Sequence, residues 1–314
     1  MSSAIVLVYD HPVAEYENVP WLNHWLAGQL SDETRRNYCS DIEQFMEWSE
    51  GRDLTEIKRN DIYEYRSWLV HHEKKYKTTT INRKLTSIRQ LFAEAVKQGM
   101  IGVSPADGIR GFKGDTIYYS STKSPEEGQV MQLLDNLNGD DPVSLRDRAI
   151  LYILFAMGLR RAELCGLTLG SIATDQGHLV LRVTGKGNKR REITLPLSVY
   201  GAIKRWTDAM YRESAPKSTP LFQGLKKNGH WKVEGKPLTG DDLYYIVTKR
   251  FSEVGIEDCS PHSCRHFFLT YILRHGASIY ECQAIAGHNS VASTERYVAN
   301  AKNLDSSAAK FVDF

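Results

Sequence analysis

The sequence predicts a mainly α-helical protein of two domains, with one small β-sheet in the second. Three observations carry this. At 314 residues the chain exceeds what a single hydrophobic core usually organises. Apolar residues recur at helical offsets along most of its length. The exception is a pair of β-prone runs, residues 178–183 and 191–197, around a glycine-rich turn.

Composition narrows the class. With 41% hydrophobic and 25% charged residues, the chain is an ordinary globular protein, and disorder and fibre are excluded. The formal charge of +2 gives no global signal for nucleic acid. The N-terminus lacks a basic stretch and its apolar run breaks at Tyr9-Asp10, which makes a poor secretory signal. The most apolar internal stretch, residues 149–159, falls far short of the ~20 residues a membrane span requires. Five cysteines, an odd number in a chain too long to need stapling, point to reduced thiols and a cytoplasmic location.

In chain order, residues 1–17 read as a tail and residues 18–107 as a helical domain. Its best helix follows Thr78-Thr79-Thr80 as a cap. Ile81, Leu85, Ile88, Leu91, Phe92, Ala95 and Val96 fall at offsets of three and four, and Gly99 is the stop. Charge is sorted: residues 15–64 hold twelve acidic and five basic residues, whereas 74–97 hold seven basic residues against Glu94 alone. A solvated helix face and a DNA contact both fit that charge run. Residues 108–123, rich in Gly, Ser and Lys, read as a linker. Ser124 as N-cap, Pro125 and acidic Glu127 then open the second domain, residues 124–314. Helical period runs through 148–154 to a break at Gly158, resumes at Arg161, gives way to the hairpin with Lys186 at its tip, and returns from Gly240.

Local motifs taken singly mislead. Gly185-Lys186-Gly187-Asn188-Lys189 is no phosphate loop, because that loop needs Ser or Thr after its Lys and a following helix. His262 and His266 have metal-compatible i, i+4 spacing, but Ser263 stands where a zinc protease needs Glu, and Cys259, Cys282 and His288 supply no compact second ligand pair. Neither a metal nor a cofactor is expected.

The informative constellation is spread from Arg160 to Tyr297. It comprises Gly158-Leu159-Arg160-Arg161-Ala162-Glu163-Leu164, the hairpin Lys186, Pro261-His262-Ser263-Cys264-Arg265-His266, Gly287-His288, and Tyr297, nine positions after His288. In order and spacing it resembles the tyrosine recombinase (phage integrase) family, of the simple Xer/Cre-like two-domain type. Upstream, Ile81-Asn82-Arg83-Lys84-Leu85 and Ser104-Pro105-Ala106 resemble the end of that family's helical core-binding, SAM-like domain. Departures fall at packing positions: Cys264 for the usual Leu, Phe268-Leu269-Thr270-Tyr271 for a small-residue pattern, and Ile285-Ala286 for paired Leu.

The resemblance implies a clamp around double-stranded DNA, with a helical core-binding domain and a mixed α+β catalytic domain. It implies Tyr297 as nucleophile, Arg160, Arg265 and His288 as donors to the phosphate, His262 as the group that assists proton removal, Lys186 as general acid and Glu163 as a brace. Planar guanidinium groups suit this task because they donate paired bonds to phosphate oxygens at any working pH. Lys77, Arg83, Lys84, Arg89, Arg110, Lys113, Lys189, Arg190 and Arg191 are the expected DNA contacts. Paired inverted sites, a tetrameric synapse, a Holliday junction and accessory DNA-bending proteins come with the family, as does a nucleoid location and no membrane partner. With about 18 residues ahead of the first helical domain, a simple recombinase is expected, acting in resolution or in integration of a mobile element. An inert DNA-binding regulator, a strand-relaxing type IB topoisomerase and a metal-dependent hydrolase are the rival readings.

Overall fold

The computed structural model describes residues 7–8, 15–16, 20–29, 32–113, 123–228, 230–288 and 290–301. The chain divides into two compact units, residues 1–116 and 117–314.

In the first unit β1 (Leu7–Val8) pairs antiparallel with β2 (Glu15–Tyr16), in the stretch read as a tail. Four helices follow: α1 (Pro20–Ala27), α2 (Asp32–Trp48), α3 (Arg59–His71) and α4 (Thr78–Lys97). The apolar stripe of α4 is buried, and Phe92 meets Phe45 of α2 edge-on at 5.9 Å, with Tyr65 of α3 against Phe45 at 4.9 Å. The expected cap moves: Thr78 lies inside the first turn and Lys77 is the N-cap, without a side-chain bond.

Beneath α4 lies a buried ionic knot. Asp41 of α2 is fully buried and accepts from Lys84 Nζ at 3.0 Å, Arg83 Nη1 at 2.5 Å and Ser87 Oγ at 2.6 Å. The expectation that Lys84 contacts DNA is therefore corrected: its ammonium is sequestered, with 5% of the residue exposed, because an unpaired carboxylate cannot be kept at that depth. The segment read as a linker is fastened at its start. Asn82 accepts from Phe112 N–H at 2.8 Å and donates to its carbonyl at 2.9 Å, while the Arg66 guanidinium lies 4.4 Å over the Phe112 ring.

The second unit runs α5 (Glu127–Asp135), α6 (Pro142–Met157), α7 (Arg161–Cys165), β3 (Ile172–Asp175), β4 (His178–Thr184), β5 (Arg190–Thr194), α8 (Leu197–Met210), β6 (Gln223–Asn228), β7 (His230–Pro237), α9 (Gly240–Ser252), α10 (Pro261–Arg274), α11 (Ile279–Ala286) and α12 (Ala292–Ala301). Helix α6 is the central post, buried almost throughout and packed on α8 and α10. Its N-terminus is set by Asp141, whose carboxylate accepts from the Val143 and Ser144 amides ahead of which Pro142 occupies the first turn. Helix α5 starts two residues later than read, at a Glu126 cap whose N–H donates to Gln129 Oε1 at 2.9 Å.

Strands β3, β4 and β5 form an antiparallel sheet, with Thr184 opposite Arg190 and Arg182 opposite Glu192 flanking the tip. Two features of the sheet content escape the periodicity reading. Strand β3 has four residues, two of them polar, and the β6–β7 ribbon is rich in Gly and Lys, so neither carries the apolar alternation that marks a strand. Leu225 and Val233 attach that ribbon to the core.

The Asp41 knot yields a stability prediction. Asp41→Ala leaves Lys84 buried without its carboxylate and is expected to destabilise the protein by about 3 kcal/mol or more, read as a lowered urea midpoint. Lys84→Met combined with Asp41→Ala should recover most of the loss.

Candidate active site

The site is assembled where two helices end on glycine. Helix α6 closes at Gly158, with φ of +59°, and a β-carbon there would lie 2.3 Å from the Phe268 ring. Glycine is required on both counts, and the turn carries Leu159 into the core and sets Arg160 as the N-cap residue of α7. Helix α11 closes in the same left-handed way at Gly287, φ +60°.

The last carbonyls of α11 have no amide partner farther along the helix and sit at its negative end. Three successive ones each hold an arginine. Ile285 O accepts from Arg191 Nε at 2.9 Å, Ala286 O from Arg265 Nη2 at 2.7 Å and Gly287 O from Arg160 Nη2 at 2.9 Å. Arg265 also donates from Nη1 to Gly158 O at 2.7 Å, so the two glycine-closed ends meet on one side chain. Burial and the adjacent Arg160 pull Arg265 down to about 10, which leaves it cationic at neutral pH.

Glu163, one turn into α7, is the counter-charge. Its Oε1 accepts from Arg160 Nη1 at 2.8 Å and Arg191 Nη1 at 2.9 Å; its Oε2 accepts from Arg191 Nη2 and the Arg160 amide, both at 2.9 Å. Burial alone would raise this carboxyl, but Arg191 and then Arg160 overcome it and hold the group at about 2. Arg191, one of the expected DNA contacts, has a structural role here. Its guanidinium is turned inward onto Glu163 and Ile285, tying β5 to α7 and α11, because the carboxylate needs a second cation at that depth.

On the other side of Arg265, its Nη2 lies 2.9 Å from His288 Nε2, and His288 Nδ1 lies 2.8 Å from Thr294 Oγ1. Tyr297 on α12 is 3% exposed. Its ring packs against His288 at 6.0 Å and 13° and against His266 at 5.2 Å and 55°. Burial, with the charge of His262 adding to it, pushes His266 down to about 4, so a neutral imidazole flanks the tyrosine. His262 is exposed on the first turn of α10. Lys186 occupies a short 3₁₀ turn between β4 and β5, and its side chain lies outside the described residues.

A cleft of about 700 Å³ opens beside these groups, lined by Arg160, Arg191 and His288 together with Lys189 and Arg190, both exposed. In the first unit Lys77, Arg110 and Lys113 are exposed, Arg83 is half-exposed beside Asp41, and Arg89 bonds Thr86 Oγ1 at 2.8 Å. Among the described residues no cluster of His, Cys, Asp and Glu is arranged to hold a metal ion. The sequence reading passed over three contributors: Arg191 as a brace, His266 against the tyrosine, and Thr294. For Arg191 a signal existed, since an arginine beside buried Glu163 is what charge balance demands, though only the fold shows which of the five basic residues in 178–191 supplies it.

The depressed Glu163 carboxyl predicts an acid dependence. A folded-state value of about 2 against an ordinary 4.5 contributes stability that is complete above pH 4.5 and is lost as the pH falls through about 2. The contribution is about 3 kcal/mol. Glu163→Gln should lower the urea midpoint at pH 7 and flatten its decline between pH 4.5 and 2.

Comparison with known proteins fits this geometry. Residues 124–303 match the phage integrase family, and residues 21–99 match the phage integrase N-terminal SAM-like domain. The tyrosine recombinase XerD of Pseudomonas aeruginosa is 32% identical over 292 residues, covering 90% of this chain and 92% of that protein. Two solved structures share the fold: the XerH recombinase bound to palindromic difH substrate, with a TM-score of 0.68 at 19% identity over 86% of this chain and 77% of that one, and the Tn1549 transposon integrase in complex with circular intermediate DNA, with 0.67 at 20% over 93% and 98%. With a family match over more than half its length and a relative of this identity along nearly all of it, the chain belongs to the phage integrase family, the tyrosine recombinases.

Proposed function

We propose that Tyr297 cuts and rejoins DNA for site-specific recombination, with Arg160 and Arg265 holding the scissile phosphate. The observation that supports this most directly is the packing of a buried tyrosine against His288, which in turn contacts one of three arginines gathered around a single carboxylate. That cluster carries an excess of positive charge in a water-poor place, where a phosphate gaining charge in the transition state is stabilised most. Loss of either Arg160 or Arg265 is expected to cost on the order of 3 kcal/mol in the cleavage barrier.

The step balances without an external energy source. Tyr297 Oη forms a bond to phosphorus as the bond to the 5′-oxygen breaks; the phenolic proton leaves with help from His262, and Lys186 delivers a proton to the departing oxygen. The product is a 3′-phosphotyrosyl ester and a free 5′-hydroxyl. One phosphodiester has been exchanged for another, so attack by the 5′-hydroxyl of a partner duplex restores DNA and releases Tyr297. Exchange of one strand pair gives a Holliday junction. Neither a metal nor ATP is called for.

Residues 18–107 act as the core-binding domain and residues 124–314 as the catalytic domain, on paired inverted sites and within a tetramer. Exposed Lys77, Arg110, Lys113, Lys189 and Arg190 supply contacts to the DNA backbone, together with Arg89 and with Arg83, which lines the polar groove that α4 shares with α2. The protein works on DNA in the cytoplasm, at the nucleoid, in resolution of multimers or movement of a mobile element. Among the described residues no helix is long and apolar enough to cross a membrane.

A duplex selected by the protein from a randomised library, nicked so that the cleaved strand escapes, provides the test. Wild type should accumulate a covalent protein–DNA adduct in the presence of chelator, and Tyr297→Phe should bind the duplex and form none. Binding without any adduct from wild type would favour an inert regulator, and relaxation of a plasmid without exchange between two sites would favour a topoisomerase.

A further inference from the structure

We propose that Thr294 is a positioning residue which fixes the tautomer of His288 and seats the helix that carries Tyr297. The inference rests on the tyrosine-recombinase reading for its catalytic consequence, but its structural content stands on the free protein.

The tautomer follows from the partners. A guanidinium has only N–H groups to offer, so the 2.9 Å contact between Arg265 Nη2 and His288 Nε2 requires Nε2 to accept. Nε2 therefore carries no proton, and a neutral His288 has its proton on Nδ1. That proton points at Thr294 Oγ1, 2.8 Å away, and the hydroxyl oxygen accepts it. Thr294 is fully buried, so the bond is sheltered from solvent. With the hydroxyl removed, a proton on Nδ1 loses its acceptor; moved to Nε2, it would face the N–H of Arg265. The hydroxyl is what makes one arrangement satisfy both nitrogens.

Helical spacing gives the second consequence. Thr294 and Tyr297 are three residues apart on α12, hence on the same face of that helix. The His288 ring reaches both, bonding Thr294 and lying nearly parallel to Tyr297. The imidazole thus adds a polar tie between α12 and the arginine cluster to the apolar packing of Tyr297 with Phe268, Leu269, Cys282 and Ala286. It also keeps Nδ1 occupied, so that the nitrogen free to exchange Arg265 for a proton, and then to donate to a phosphate, is Nε2. In the resting arrangement His288 contributes a lone pair to Arg265, and its donor role toward phosphate begins only when Arg265 turns to the DNA.

The test uses the full-length protein labelled with ¹⁵N-histidine and observed by long-range ¹H–¹⁵N NMR at neutral pH without DNA. His288 should show a protonated Nδ1 and a bare Nε2. Thr294→Val, which keeps the shape and removes the hydroxyl, should give a mixture of tautomers or the Nε2-protonated form, and Thr294→Ser should restore the wild-type pattern. On the selected nicked duplex at saturating protein, Thr294→Val should slow adduct formation by about ten-fold with duplex binding unchanged, as expected for loss of one buried hydrogen bond, and Thr294→Ser should recover most of the rate. A wild-type spectrum with Nε2 protonated would overturn the proposal, even if the Val variant failed to fold. So would a Val variant with wild-type tautomer and wild-type cleavage. If wild type itself forms no adduct, the recombinase reading fails while the spectra still decide the role of Thr294.

Discussion

Everything in the catalytic unit depends on keeping three guanidinium groups together inside protein. Arg160, Arg191 and Arg265 repel one another, and Arg191 and Arg265 give up most of their hydration, a penalty on the order of several kcal/mol per ion. The fold offsets this with one carboxylate, Glu163, and with three successive carbonyls at the negative end of α11. Carbonyls hold cations without neutralising them. The cluster is thereby stable yet still positively charged, which is the condition a DNA phosphate requires.

The same constraint explains the glycines. A helix that ends on a left-handed residue turns its final carbonyls out of the continuing chain's reach and presents them sideways. At Gly287 that presentation serves Arg160, and an added β-carbon would come within 3.0 Å of Arg191. At Gly158 the carbonyl serves Arg265, and the absent side chain leaves room for Phe268 of the helix that carries Arg265. The glycine of each box therefore serves the arginine of another: Gly158 O is the acceptor for Arg265 and Gly287 O the acceptor for Arg160.

How much of this can be read in a sequence follows from the range of each interaction. The helix ends at Gly158 and Gly287 and the hairpin at 185–188 are local, and local spacing displays them. Caps are local too, but Thr78 and Ser124 show the limit: both are good cap residues with the helix start displaced from them by one or two positions, within the range over which helix ends fray. Lys84 and Arg191 were unreadable for a different reason. Within a basic run, charge is visible but direction is not. A partner 43 positions away in one case and 28 in the other draws the side chain inward, while Lys77 and Arg190 in the same runs stay in solvent. Strands β6 and β7 are built from residues of poor strand propensity and exist because Leu225 and Val233 find the core.

The net charge of +2 thus has no bearing on what the molecule binds. Acidic and basic residues nearly cancel over the whole chain, yet in the catalytic unit a tight group of three arginines faces one acid, and in the helical unit Asp41 pairs with Lys84, which is buried, and with Arg83, which is half-exposed. Some positive charges are structural and some remain available, and only their burial separates the two kinds. Arg265 belongs to both. It is 2% exposed and engaged with Gly158, Ala286 and His288, so it ties the ends of α6 and α11 to the histidine packed on Tyr297; under the proposed function, a phosphate that takes its Nη2 competes with two bonds at once.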